Sequence, residues 1–402
     1  FFTQKTAYEI RLSLVGSEMC IRDRHGSRLM TGAGYALKVP AIDLAEVGAG
    51  GGAILSIDAG GSLRAGPESA GASPGPVCYD AGGESPTITD ANIILGYLNP
   101  NHLVGGAVKL NKEKAAGLFK EKIADPLGLS LEEAAYGAHL ISASNMIRAI
   151  KAVSTERGRN PQNYSLFAIG GNGPLFASGM ADAIGIKQVI VPPSPGLFSS
   201  FGLLYADVEH HYSRTFRRLL TDADPQELTA AWEGLAKEAI DELNKEGFSD
   251  ASAVIERSAS LHYKGQIYEL SVPAPSGNFD AKKLAELSES FGQEHEIVYG
   301  HRAGPEEPVE LVNIAVIGRG IPDSSRVPEK LYAEEALKPF DRNRKAYFGK
   351  DHGWVETPIL GRDDLQKKYS GPVIIEEYDA TCLIPPKAEA HLDSFGNIVI
   401  DL

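Results

Sequence analysis

The stretch from Ser165 to Gly202, SLFAIGGNGPLFASGMADAIGIKQVIVPPSPGLFSSFG, most narrows the folds open to this chain. A short apolar run, Leu166 to Ile169, breaks into Gly170-Gly171-Asn172-Gly173-Pro174. It then turns small and apolar at helical spacing through Leu175, Ala177, Met180, Ala181 and Ile184. That pattern predicts strand, glycine turn and helix. Gly185 ends the helix, Gln188 to Val191 form a second buried strand, and Pro192-Pro193 stops it. Two parallel strands joined by a right-handed crossover are the expected result. Ligands in such sheets bind beyond the carboxyl ends of the strands, where this glycine turn lies.

Glycines let a backbone approach a ligand closely and take positive φ, and the free N–H groups opening the next helix favour an anion or a sugar-phosphate. A tight turn with no ligand is the competing reading. The net charge of −14 argues against nucleic acid and anionic membrane surfaces as partners, since both reward clustered Lys and Arg. Three cysteines, Cys20, Cys78 and Cys382, are too scattered for a disulfide framework or a zinc site, which fits a reducing compartment. No apolar run approaches the roughly 18 residues that span a bilayer. The cytoplasm is the expected location.

Phe1 to Arg24 has no sustained period and a composition unlike the rest of the chain. It resembles translated adapter sequence at the end of a metagenomic gene fragment and is set aside, with Cys20; a genuine strand and helix is the alternative. Tyr35, Leu37 and Val39 alternate as a short strand, and Gly48 to Gly52 turn into a strand at Ala53 to Asp58. Asp58-Ala59-Gly60-Gly61 resembles the DxGG phosphate loop of sugar-kinase and actin-like ATPases. A hairpin whose glycines serve turn geometry alone is the favoured reading of the two. Gly66 to Gly83 is a long Gly- and Pro-rich loop of the kind that is often functional.

Thr89 or Asp90 is expected to cap a helix reaching Leu98, with a metal or substrate role for Asp90 as the sharper alternative. Another helix is expected around Lys114 to Ile123. Ser130 with Glu133 forms a capping box before a long helix to about Arg157, with a face of small residues that includes Asn145. Beyond Leu220 the pattern changes. Pro225 to Glu246 is an amphipathic helix, Ala253 to Tyr263 and Gln266 to Val272 form a hairpin, Ala281 to Glu296 a helix, and Val309 to Gly318 a strand. Ile321 to Asp341 is the linker candidate, and the remainder is strand-dominated.

The runs VGAGGG (Val47 to Gly52), IDAGGSLRAGPESAGASPGPVCY (Ile57 to Tyr79), TITDANIILG (Thr87 to Gly96), STERG (Ser154 to Gly158), GGNGP (Gly170 to Pro174) and VPPSPGLFSSFGLLYADVEHHYSRT (Val191 to Thr215) resemble the hydantoinase A / 5-oxoprolinase family. That family also holds the ATP-dependent acetone and acetophenone carboxylase subunits. LHYKGQIYEL (Leu261 to Leu270), YGHR (Tyr299 to Arg302) and GPVIIEEYDATCLIPP (Gly371 to Pro386) are similar to its C-terminal part.

The resemblance implies an α/β fold: a partial actin-like ATPase (ribonuclease H-like) core over residues 25–218, its N-terminal part missing before His25, then an α+β C-terminal domain over 219–402. It implies ATP and Mg²⁺ as cofactors, a small cyclic amide or ketone as substrate, and a hydantoinase B-like subunit as partner. Gly170, Gly171, Asn172, Gly173, Pro174, Asn145, Gly60 and Gly61 are the candidate nucleotide-binding residues, Asn172 standing where the family usually has Ala. Asp58, Asp90 and Asp207 are the catalytic candidates, and Asp207 with His211 the candidate metal ligands.

Three functions are open at this point: ATP-driven hydrolysis of a cyclic amide by phosphorylation of its oxygen, ATP-driven ketone carboxylation, and a non-catalytic assembly module. The chain shows no Ser-His-Asp or Cys-His signature. That suits phosphoryl transfer, which depends on positioning and backbone N–H groups more than on a strong nucleophile.

Overall fold

Small apolar residues on the helices and alternating or continuous apolar residues on the strands from Ala53 to Val191 give elements that each have a face to bury. The computed structural model describes residues 45–101, 103–104, 106–204, 207–304, 306–321 and 342–402. The expectations for Phe1 to Arg24, for Tyr35, Leu37 and Val39, and for the linker after Ile321 lie outside these residues.

The described chain opens with an antiparallel hairpin of β1 (Ala53–Ile57) and β2 (Leu63–Ser69). α1 (Ile88–Ile94) comes next, capped by Thr87 rather than by Thr89 or Asp90. The sequence TITD places Asp90 three residues after Thr87, so each side chain satisfies the other's free N–H. After α2 (Lys112–Phe119) comes α3 (Leu131–Ala152), with the Ser130–Glu133 capping box in place. α3 stops one turn earlier than expected: Ser154 Oγ bonds back to the Ile150 carbonyl, and Gly158 is left-handed at φ 69°.

β3 (Leu166–Phe167), α4 (Gly173–Ile184) and β4 (Gln188–Val191) form the predicted unit, with β3 and β4 parallel and Gly185 closing the helix at φ 77°. α5 (Phe198–Leu204) ends this part.

Next come β5 (Val208–Leu219), α6 (Pro225–Lys245), β6 (Ala253–Tyr263), β7 (Leu270–Pro273), α7 (Ala281–Tyr299) and β8 (Val309–Gly320). Their strands make one antiparallel sheet in the order β5-β8-β6-β7. Trp232 of α6, stacked on Phe279 at 4.6 Å, and Phe291 of α7 fill its core with Leu261, Ile314 and Val316. Burial of each large apolar side chain contributes about 1.5–3 kcal/mol.

The chain then returns to the first core. β9 (Asn343–Tyr347), β10 (Trp354–Leu360), β12 (Val373–Glu376) and β13 (Thr381–Ile384) form a sheet ordered β13-β12-β10-β9, against which α4 packs. β11 (Tyr369–Ser370), β14 (Glu389–Leu392) and β15 (Ile398–Asp401) extend the sheet begun by β3 and β4, in the order β11-β14-β15-β4-β3. Ile398 and Ile400 of β15 need an apolar neighbour on both faces and find it beside Val189 and Val191. One core thus joins residues 53–191 to residues 346–400, and the other lies within 216–316. The architecture is an α/β core with an α+β unit, and residues 219–402 are shared between the two.

His139 of α3 is sealed in the first core, 4.2 Å from the Phe176 ring and with Nδ1 2.9 Å from Asn92 Oδ1. Burial depresses it from an ordinary 6.5 to about 3. The unfolded chain therefore takes up this proton first as pH falls, so the stability His139 contributes is complete above 6.5 and declines towards 3. Urea unfolding is expected to lose about 1.4 kcal/mol from this group between about pH 7.5 and 5.5, and His139→Gln to remove that part of the slope.

Candidate functional site

A cleft of about 310 Å³ opens where loops of the first core meet. One wall is the turn before β1, Gly51 and Gly52; another is the turn before α4, Gly171 and Asn172. Gly71, Pro76 and Tyr79 come from the long loop after β2, and Thr89 from the first turn of α1. The remaining wall is the turn from Glu377 to Thr381 between β12 and β13. Leu98, Leu103 and Val104 supply the apolar end.

Glycine leaves little room to spare where these turns touch. A Cβ on Gly51 would lie 2.6 Å from Asn172 Nδ2 and 2.7 Å from Thr89 Oγ1. The Gly51 carbonyl accepts the Thr89 N–H at 2.8 Å, which fixes this turn on the start of α1. Gly170, at φ 84°, donates its N–H to the Pro195 carbonyl at 2.7 Å, which ties the second glycine turn to the end of β4.

The C-terminal turn is fastened by charge. Arg362 grips Glu377 with two bonds of 2.6 and 2.7 Å and donates its other N–H groups to the carbonyls of Val191, Pro192 and Gly396. The pair is nearly buried, at 13% and 11% side-chain exposure, and burial pushes the Glu377 carboxyl up against the opposing pull of Arg362. On the other side of β12, Glu376 accepts from Asn99 and pairs with Arg344 at 2.8 Å. Asp379 Oδ2 accepts the Leu197 N–H at 3.1 Å, and its carbonyl lies 3.3 Å from where a Cβ on Gly171 would stand.

Several polar groups in the cleft are uncommitted. Among the described residues nothing hydrogen-bonds to the side chains of Thr89, Asn172 or Thr381, or to Oδ1 of Asp379. Among the described residues no Lys or Arg lines the cleft, and Glu377 is neutralised by Arg362. Asn172 makes no side-chain cap; Pro174 has no N–H and the Leu175 N–H goes to the Asn172 carbonyl at 3.2 Å, so of the first turn of α4 the Gly173 N–H is the one left without a partner among the described residues. An acceptor, two hydroxyls and an amide around an apolar end, without cations among the described residues, suit a ligand with neutral hydrogen-bonding groups and a flat apolar part.

Of the residues singled out by sequence, Gly171 and Asn172 line this cleft, with Gly170, Gly173 and Pro174 forming the rest of their turn. Gly60 and Gly61 do not: they sit at the exposed tip of the β1–β2 hairpin. There Asp58 accepts from the N–H groups of Gly60 and Ser62 and pairs with Arg64. Asn145 bridges α3 to β2 through the Ala65 carbonyl and accepts from Arg148.

Asp90 is fully buried and takes the N–H groups of Val77, Cys78 and Thr87 and the Thr87 hydroxyl, so it shapes the loop that carries Pro76 and Tyr79. Burial and Asp90 together push the Cys78 thiol far up, leaving it inert. Asp207 precedes β5, and His211 within that strand bonds Glu209 at 3.0 Å. Among the described residues no group of three or more His, Cys, Asp and Glu side chains could hold a metal ion. No helix among them is long and apolar enough to cross a membrane.

Sequence reasoning left out Gly51, Thr89 and the 377–381 turn as site residues. The legible signal was EEYDAT, a polar turn rich in carboxylates between two apolar strands.

Comparison with known proteins agrees with this architecture. The sequence profile described as Hydantoinase/oxoprolinase matches residues 5–212, and that described as Hydantoinase/oxoprolinase C-terminal domain matches residues 220–399. Caprolactamase subunit alpha of Pseudomonas jessenii is 35% identical over 396 residues, which cover 96% of this chain and 56% of that protein. The crystal structure of ATP-dependent caprolactamase from Pseudomonas jessenii superposes with a TM-score of 0.81 at 34% identity, covering 90% of this chain and 53% of the other. The nucleotide-free structure of acetone carboxylase, from a study of ATP-dependent acetone carboxylation, superposes at 0.65 with 28% identity, covering 88% and 51%. The chain spans about half the length of the curated relatives it matches.

Proposed function

The chain belongs to the hydantoinase/oxoprolinase family, and from that premise we propose that it is the nucleotide-handling part of an ATP-dependent enzyme that opens a cyclic amide. The cleft receives the nucleoside end of ATP, and the N-terminus of α4 faces the adjoining phosphate. The observation that carries this reading is the set of uncommitted polar groups, Thr89, Asn172, Thr381 and Asp379 Oδ1, around a cleft walled by Gly51 and Gly171. The donor set fits a nucleoside: hydroxyls and an amide for polar edges, with Leu98 and Leu103 for a base. Among the described residues no group of three or more His, Cys, Asp and Glu side chains stands ready to hold magnesium.

An amide carbonyl reacts poorly with water at neutral pH, and ATP supplies the phosphoryl group that makes its oxygen a leaving group. What this chain's residues do is bind, orient and exclude water: the glycine walls bring backbone close to the ligand, and the 377–381 turn shields it from one side. Relatives named as subunits support a partner chain, which we take to be hydantoinase B-like. Likeness to acetone carboxylase keeps carboxylation as the second reading.

Titration of the purified chain with a fluorescent ATP analogue tests the cleft. Gly51→Ala places a methyl group against Asn172 and Thr89 and is expected to weaken binding about tenfold or more, roughly a 1.4 kcal/mol effect, while leaving the fold intact. A parent chain that binds no nucleotide, or a variant that binds as the parent does, overturns the assignment. In the assembled complex, lactam-stimulated ATP hydrolysis without bicarbonate is the expected result; obligatory bicarbonate would move the activity to carboxylation.

A further inference from the structure

The proposed nucleotide site contains one carboxylate whose charge nothing among the described residues balances. Glu377 is matched by Arg362, but Asp379 has only the Leu197 N–H on Oδ2, and among the described residues Oδ1 has no partner. A carboxylate accepts hydrogen bonds and donates none, and with no Lys or Arg among the described residues that line the cleft it selects a ligand that brings donors. We infer that Asp379 accepts the ribose hydroxyls of the nucleotide and so fixes which way round it lies in the cleft. This rests on the reading of the cleft as a nucleotide site.

Two features beyond the free oxygen carry the inference. Asp379 is held rigidly: Oδ2 is tied to Leu197, and the atoms of Asp379 stand 2.7–3.0 Å from where a Cβ on Gly196 would be, so the turn is pressed on the backbone after β4 and the carboxylate is preorganised. Charge also orders the ligand. An unpaired carboxylate repels phosphate, so the phosphate end lies away from Asp379. A vicinal diol offers two donors to one carboxylate, whereas a lactam offers a single N–H, so the geometry favours the ribose.

The test compares binding of ATP with that of 2′,3′-dideoxy-ATP by the full chain and by Asp379→Ala and Asp379→Asn, with urea unfolding as the control for folding. The parent is expected to prefer ATP about tenfold. Asp379→Ala is expected to bring the ratio near one by weakening ATP alone, with dideoxy-ATP affinity held within about twofold. Asp379→Asn keeps an acceptor for Leu197 and is expected to fall between, so a misfolded alanine variant does not remove the test. A parent that binds both nucleotides equally, or an alanine or asparagine variant that keeps the tenfold preference, sinks the inference while leaving the nucleotide site standing. A parent that binds neither nucleotide overturns both.

Discussion

Arg362→Met is expected to destabilise the protein by about 3–5 kcal/mol, because it strands the Glu377 carboxylate in a site with 11% side-chain exposure. Three backbone carbonyls, of Val191, Pro192 and Gly396, lose their donor in the same change. The attraction between the two charges is not itself worth that much, since both must be dried to make it; the loss comes from removing one partner only. The double variant Arg362→Met/Glu377→Leu is therefore expected to recover much of the stability, with a coupling of about 2 kcal/mol or more in a double-mutant cycle followed by urea unfolding. Additive single effects would show that the pair is not a unit. Because the pair anchors the 377–381 turn, Glu377→Leu alone is expected to weaken nucleotide binding as well.

The second large effect is at Asp90. Asp90→Ala leaves the N–H groups of Val77, Cys78 and Thr87 unsatisfied in a fully buried site, and the expected loss is about 3–5 kcal/mol. Asp90→Asn keeps one acceptor but turns an NH₂ towards donors, and about 2–3 kcal/mol is expected. A catalytic aspartate would behave differently: the asparagine variant would keep its melting temperature and lose turnover. Melting temperature and ATP hydrolysis measured on the same preparation separate the two roles, and an Asp90→Asn protein as stable as the parent would return Asp90 to the catalytic candidates.

These two residues also mark what the sequence makes legible. The unit β3–α4–β4 was readable because its signals are local: an apolar run, a glycine turn, small residues at helical spacing and a terminal glycine. The Ser130–Glu133 box was readable for the same reason. Asp90 was noticeable, but a carboxylate near a helix start looks alike whether it caps, binds metal or clamps a loop. Only the positions of Val77 and Cys78 decide among these. The same holds for Asp58, whose DxGG pattern is here the cap of an exposed hairpin.

The cleft wall at residues 377–381 was beyond local patterning altogether. It faces Asn172 across roughly 200 residues of chain, and it is there because β12 and β13 form the sheet on which α4 packs, which no periodicity within either segment announces.

The pairing of β15 with β4 has a bearing on how the polypeptide is made. The sheet that carries the glycine turn closes only when Ile398 to Asp401 reach Val191 to Gln188. At about 5–20 residues per second, the roughly 200 intervening residues take on the order of 10–40 s to synthesise. Through that interval β4 waits on the ribosome with one edge open, while the sheet of β5 to β8, whose partners all lie between residues 208 and 320, can already assemble. The sheet of β5 to β8 can thus form before the sheet that carries the glycine turn, and the open edge of β4 is the place where a chaperone or a second nascent chain would compete with β15.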